Sequence, residues 1–339
     1  MISGYLRQDG RKGIRNVTVV AYLVECAHHV ARRIVDKIDD PDVHLIGFPG
    51  CYPNAYAKRV MEAIATHPNV GGVVLVSLGC ESFDRAGLAE TVRASGRPVE
   101  LLVIQEVGGT AATIAGGLAA VERVRAVAAD APRAAMALDE LVIATICGGS
   151  DGTSGITANP AVGRAFDRLV EAGSTCIFEE TGELIGCETI MASRAVTPEL
   201  GAEIEACVAK AEAYYTTMGY GSFAPGNAEG GLTTQEEKSM GAYSKSGASP
   251  ISGLIKPGDT PTKGGLYLLD VVPDGEPRFG FPNISDNAEI VDQVVAVASG
   301  ARTCSEELGH QEFILTYKTF EPTGPACMPM SGFTKSVPA

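Results

Sequence analysis

Short apolar runs recur through the first 130 residues, each bounded by glycine, proline or charge. Residues 17–23, 43–47, 73–78 and 101–105 are rich in β-branched side chains and too short for helices, the pattern of strands covered on both faces. Helical spacings fill the gaps at 27–38, 55–66, 85–94 and 110–129. This alternation predicts βαβ units with right-handed crossovers, giving a mostly parallel, Rossmann-like α/β domain over residues 1–132. Residues 130–140 read as a link. A second α/β domain, 133–339, is expected to contain a strand at 141–146, a helix opening near Asn159 and Pro160, a strand at 174–178 and a helix at 198–218. From 219 to 265 apolar periodicity fades into Gly, Ser, Thr and Pro, which predicts long Gly-rich functional loops.

Composition narrows the setting. With 27 Lys+Arg against 41 Asp+Glu, a net charge of −14 and no basic run, nucleic acid and anionic membrane are disfavoured as partners. The N-terminal segment lacks the apolar core of a signal peptide and no stretch suits a bilayer span, so a cytoplasmic protein is expected. Nine cysteines, an odd number scattered along a long chain, point to reduced thiols.

Three of those cysteines share a placement. Cys51, Cys80 and Cys147 each follow an apolar run at a glycine-bearing turn. Ligand crevices of open α/β sheets lie at the carboxyl ends of strands, so three such thiols are expected to meet around one metal. Thiolates favour iron, iron–sulfur clusters or zinc, and three ligands leave a position open for substrate. The opposing reading is three small buried hydrophobes.

Other candidates carry charge. The opening segment GYLRQDGRKGIRN clusters Asp9, Arg11 and Arg15, which suits either a carboxylate clamp or a solvated arm. Acids crowd FEETGELIGCE, where Glu180 and Glu183 suit an acid–base pair or a metal, or decorate a helix start. In GNAEGGLTTQEEKS a threonine pair suits a helix cap with Glu236 closing a capping box, and Lys238 is a base if desolvated. His310, between Glu307 and Glu312, is the histidine best placed for acid–base work.

These motifs, with HPNVGGVVLVSLGCE, CGGSDGTSGITANPAVG and ELGHQEF, stand in an order that resembles the large catalytic region of the altronate/galactarate dehydratase family, which also includes the large subunit of sulfolactate sulfo-lyase. The resemblance runs from Gly4 to about Phe313. It implies a hydro-lyase that eliminates water from a sugar acid or small hydroxy acid with iron, as a cluster or a single ferrous ion. The matching positions are Asp9, Arg11, Arg15, Ser150, Asp151, Asn227, Thr233 and Thr234 toward substrate, Lys238, His310, Glu180 and Glu183 toward catalysis, and Cys51, Cys80 and Cys147 toward the metal. Tyr52 replaces the glycine that usually follows the first cysteine, and the stretch 270–291 is shorter than in the family. The family's small β domain is expected as a separate subunit, in a homo-oligomeric enzyme. Sulfite release from a sulfonated hydroxy acid, or acid binding without turnover, are the rival expectations.

Overall fold

The computed structural model describes residues 2–53, 55–146, 150–179, 181–217, 221–261 and 263–272. Two compact units divide the chain, one running through Met136 and the other starting at Ala137.

The first unit contains, in order, β1 (Ile2–Leu6), β2 (Lys12–Gly13), β3 (Val17–Tyr22), α1 (Glu25–Ile38), β4 (Val43–Gly47), α2 (Ala55–Ala65), β5 (Val70–Ser77), α3 (Arg85–Ala94), β6 (Val99–Val103), α4 (Ile104–Val107), α5 (Thr110–Ala129) and β7 (Arg133–Met136). Strands β4-β3-β5-β6 form a parallel sheet. The order reverses at β3, so same-handed crossovers place α1 and α5 on one face and α2 and α3 on the other. Period-2 alternation fills both cores: Val17, Val19 and Ala21 pack with Phe48, Met61 and Leu88, while Val20 and Tyr22 pack with Ile34, Val121 and Val124. Gly47 is required beside Tyr22, since a Cβ there would lie 2.2 Å from the ring.

A second sheet, β2-β1-β7, is antiparallel and has no counterpart in the apolar pattern. Residues 133–136, expected to be link, are its edge strand, because Ile2–Tyr5 pair with them. These strands are short and half exposed, so they carry no run of buried residues to read.

The second unit follows with β8 (Val142–Ile146), α6 (Gly152–Ile156), α7 (Ala158–Glu171), β9 (Thr175–Glu179), α8 (Glu188–Ala192), α9 (Pro198–Thr217), α10 (Pro225–Glu229), α11 (Gln235–Ser244), β10 (Ile251–Ile255) and β11 (Gly265–Leu269). Its sheet, β10-β11-β9-β8, is again parallel throughout. The expectation of Gly-rich loops across 219–265 is corrected here, since that stretch holds α10, α11 and β10. Helix α11 escapes an apolar reading because its buried positions are Lys238, Ser239 and Ala242. Pro160 sits in the first turn of α7, where its missing N–H costs nothing. Among the described residues, no helix is long and apolar enough to cross a membrane.

Candidate functional site

In the first unit the turns after β3, β4 and β5 are stitched together at the carboxyl edge of the sheet. Glu25 N donates to Pro49 O at 3.2 Å, and Ser82 N donates to Cys51 O at 2.9 Å. Cys51 and Cys80 therefore occupy adjoining turns, and both thiols are exposed. Glu81 fixes the second of these turns by accepting from the Ser77 hydroxyl and from Gly79 N. Burial works to raise the Glu81 carboxyl, yet those two hydrogen bonds, aided by Arg85, prevail and hold it below the usual range.

Asp9, Arg11 and Arg15 sit elsewhere. Arg11 pairs with Asp9 at 2.7 Å and donates to Thr66 O at 2.6 Å. Arg7 donates to Pro68 O, Asn16 Oδ1 and Arg15 O, while Arg97 donates to Val70 O and His67 O and reaches Asp9. Arg15 is buried. The carbonyls of Thr66, His67, Pro68 and Val70 lie where α2 leads into β5, and Arg15 just precedes β3, so all stand at the amino edge of the sheet. Cys80 follows the other end of β5, roughly 23 Å away at about 3.3 Å per residue. Within this unit the arginines and the thiols do not share a pocket. His67, lodged among Arg7, Arg11 and Arg97, is pushed down to about 3 by burial first and by those cations second. It is therefore neutral, which agrees with its Nδ1 accepting from Asn69 N.

The second unit brings three candidates into contact. Ser150 follows β8 and Glu183 follows the neighbouring β9, so both stand at the carboxyl edge of the parallel sheet. Ser150 Oγ donates to Glu183 Oε1 at 3.1 Å, and Lys238 Nζ lies 3.3 Å from the same oxygen. Lys238 and Glu183 are only 8% and 7% exposed, so the pair is buried. A cleft beside it is lined by Ser150, Asp151, Asn159, Glu183, Lys238 and Lys245, among others. Lys238 Nζ also donates to Ser222 O. Asp151 Oδ1 accepts from Thr153 N and Ser154 N, capping α6, and the first of these bonds helps hold its carboxyl low after that from Ser154.

Helix α11 is held in place by many small polar contacts. Thr234 caps it, and Glu237 reaches back to Thr233 N and Oγ1, so the residue closing the cap is Glu237 rather than Glu236. Asn159 Nδ2 donates to Gly241 O, Ser239 Oγ donates to Ile185 O, and Asp167 Oδ1 accepts from Ala248 N and Ser249 N beyond the helix end. Asn227 accepts from Ala224 N to start α10, and Gly230 O accepts from Gly152 N beside the cleft. Asn227, Thr233 and Thr234 thus frame the lysine. Asn159 and Lys245, cleft residues the motif reading passed over, carry a usable signal: Lys245 stands seven residues after Lys238, on the same helix face.

Glu180, Cys147 and His310, with the shortened stretch from 273 onward, lie outside the described residues. Among the described residues no three His, Cys, Asp or Glu side chains are grouped to hold a metal. Cys51 and Cys80 are thus the two described members of the predicted thiol trio. The six described cysteines are free thiols.

Residues 4–129 match the model described as D-galactarate dehydratase/altronate hydrolase, second domain, and residues 138–276 match D-galactarate/altronate dehydratase, C-terminal. The chain is 32% identical over 280 residues to (2R)-sulfolactate sulfo-lyase subunit beta of Chromohalobacter salexigens, covering 79% of this chain and 70% of that protein. The chain belongs to the D-galactarate/altronate dehydratase family. Family relatives also include altronate dehydratase of Bacillus subtilis strain 168, 31% identical over 283 residues, and galactarate dehydratase (L-threo-forming) of Escherichia coli K12, 34% identical over 293 residues. Each alignment covers 78% of this chain, and the chain spans little over half of those two relatives, 56% and 55%.

Proposed function

We propose that this chain carries the elimination site of a hydro-lyase acting on a polyhydroxy or small 2-hydroxy acid. The buried Lys238–Glu183–Ser150 contact, at the strand ends of the second unit and in a member of this family, is the observation that supports it. With the shared proton on Glu183, the Lys238 amine takes the proton α to the substrate carboxylate. Those electrons form the carbon–carbon double bond as the β carbon–oxygen bond breaks. Glu183 gives its proton to the departing hydroxyl, which leaves as water, and the enol product tautomerises to a 2-keto acid. Transfer back across the 3.3 Å contact resets the pair. Ser150 orients Glu183 through its hydrogen bond.

Iron held with Cys51 and Cys80 belongs to the same proposal, as do a second, smaller subunit and a cytoplasmic location. When bound, iron supplies Lewis-acid chemistry. Its test is elemental analysis of protein purified anaerobically, where Cys80→Ala is expected to lose most of the iron.

The reaction is tested with a panel of hydroxy acids, measuring 2-keto acid and sulfite separately. Keto acid without sulfite supports dehydration. Sulfite from a sulfonated hydroxy acid supports the second reading, which the 70% coverage of the sulfo-lyase subunit favours. Acid binding without either product, with and without an added small subunit, overturns both.

A further inference from the structure

Lys238 Nζ has a contact besides Glu183, because it also donates to Ser222 O. Ser222 stands just before α10, outside any strand or helix, so its carbonyl is placed only by what its side chain holds. The Ser222 hydroxyl donates to Gln235 Oε1 at 2.5 Å, Gln235 Nε2 donates to Ser239 Oγ at 2.9 Å, and Ser239 Oγ donates to Ile185 O at 2.7 Å. Since the Ser239 proton goes to Ile185 O, its oxygen takes a donor, and the amide must turn its NH2 to Ser239 and its oxygen to Ser222. Ser239 is fully buried, so water does not compete at that link. Gln235 opens α11, with Lys238 and Ser239 three and four residues on, along the same face. Ile185 comes two residues after Glu183. One amide therefore ties the segment that carries Glu183 to the carbonyl that receives the Lys238 ammonium.

We propose that Gln235 is a positioning residue for the Lys238–Glu183 pair: by holding Ser222 at one end of its amide and Ser239 at the other, it sets where the Lys238 amine stands when it takes the proton. This rests on the elimination reading and adds the residue that holds its base in place. A carbonyl accepts a hydrogen bond from lysine in either protonation state, so Ser222 O keeps Nζ in place before and after the transfer, whereas the Glu183 carboxyl changes its own charge in the reaction. Proton transfer is steeply sensitive to the separation of the groups involved. Neither Gln235 nor Ser222 lines the cleft, so the loss on removing them falls on kcat rather than on acid binding.

The test uses the full chain and the panel acid that it turns over fastest. Gln235→Leu removes the amide at similar size, and Ser222→Ala removes the hydroxyl but leaves the carbonyl. Each is expected to lower kcat roughly tenfold while KM moves less than about twofold. The double variant is expected to be no more than about twofold slower than Gln235→Leu, because two breaks in one relay do not add. Ser222→Thr keeps a hydroxyl and is expected to stay within about twofold of wild type. A melting scan reports folding, and the Ser222 variants, at a partly exposed position, carry the comparison should Gln235→Leu fail to fold. Additive losses, an unchanged kcat, a KM rise as large as the fall in kcat, or Ser222→Thr as slow as Ser222→Ala overturns the inference. A readout without turnover separates it from the reaction: in protein isotope-labelled at lysine Cε, the Lys238 resonance, assigned by its absence from Lys238→Arg, is expected to move toward those of exposed lysines in Gln235→Leu and Ser222→Ala. That movement in a protein that converts no acid leaves the positioning role standing and fails the elimination reading. Turnover in wild type, with the Lys238 resonance and kcat both indifferent to Gln235, does the reverse.

Discussion

The arginine frame of the first unit and the lysine cleft of the second are both charge clusters that stand out in the sequence, yet their end groups are used differently. Arg7, Arg11 and Arg97 direct their N–H groups at the carbonyls of Thr66, His67, Pro68 and Val70, and so tie a turn to a strand. Lys238 points at a carboxylate in a cleft, next to a serine that touches the same oxygen. The guanidiniums spend their N–H groups mostly on main-chain carbonyls, whereas the Lys238 ammonium, besides its bond to Ser222 O, faces the carboxylate that the proposed reaction uses. What a charged group bonds to separates the two roles better than how many charges are clustered.

The largest test of that contrast is Lys238→Met. If the lysine serves chemistry, kcat of the folded fraction falls by a factor on the order of 1,000, in a fold that also loses about 3 kcal/mol because the buried Glu183 carboxylate loses that partner. A folded variant with wild-type turnover removes the lysine from the reaction. The mirror experiment is Arg97→Met, which leaves the carbonyls of Val70 and His67 without their donors in a buried turn. About 3 kcal/mol of stability is expected to be lost, at about 1–3 kcal/mol per buried group left unsatisfied, with KM for the acid unchanged in the folded fraction. A KM rise without loss of stability would show that the frame also handles substrate. Arg11→Lys, which keeps charge but breaks the paired contacts to Asp9, separates the two roles at the residue named for the clamp.

How much of this contrast the sequence carries depends on the kind of residue involved. The buried strands β3 and β4 and helices α3 and α5 are legible because their apolar spacing follows directly from which faces they bury. The amino-edge sheet β2-β1-β7 is not, because half-exposed two- to five-residue strands leave no such pattern. In the cleft, Glu183 and Lys238 are legible as chemical types but their meeting is not: one follows β9 and the other rides on α11, 55 positions later, and only the packing of α11 against the end of β9 joins them. Helix α11 is hidden for a related reason, since its buried positions are Lys238, Ser239 and Ala242 rather than leucines.

That packing can be tested at glycines. Gly163 of α7 lies against the end of α11, where a Cβ would meet Ser244 O at 2.1 Å and Gly247 N at 2.7 Å, both backbone atoms with no freedom to swing away. Gly163→Ala is expected to cost about 2 kcal/mol despite the better helix propensity of alanine, and to lower activity by shifting Lys238. Gly116 of α5 in the first unit has nothing within 4 Å, so Gly116→Ala is expected to gain up to about 1 kcal/mol and leave activity alone. Equal effects at the two positions would mean that α7 does not set the position of α11.

The smallest effect belongs to His67, and it bears on the frame alone. Burial and the three surrounding guanidiniums lower its pKa from 6.5 in the unfolded chain to about 3 in the folded one. Above pH 6.5 both states hold the ring neutral, and the histidine makes stability independent of pH. As pH falls below 6.5 the unfolded chain takes up a proton that the folded chain refuses, so folding loses free energy, by at most about 1.4 kcal/mol per pH unit, until the folded pKa near 3 is reached. His67→Gln keeps a neutral polar side chain without the titration. Its stability, measured by urea unfolding at pH 7 and pH 5.5, is expected to fall less on acidification than that of wild type, by roughly 1 kcal/mol. Parallel curves for the two proteins would mean that the ring accepts its proton in the folded state, and that the arginines around it are not held at the density their bonds to the 66–70 carbonyls require.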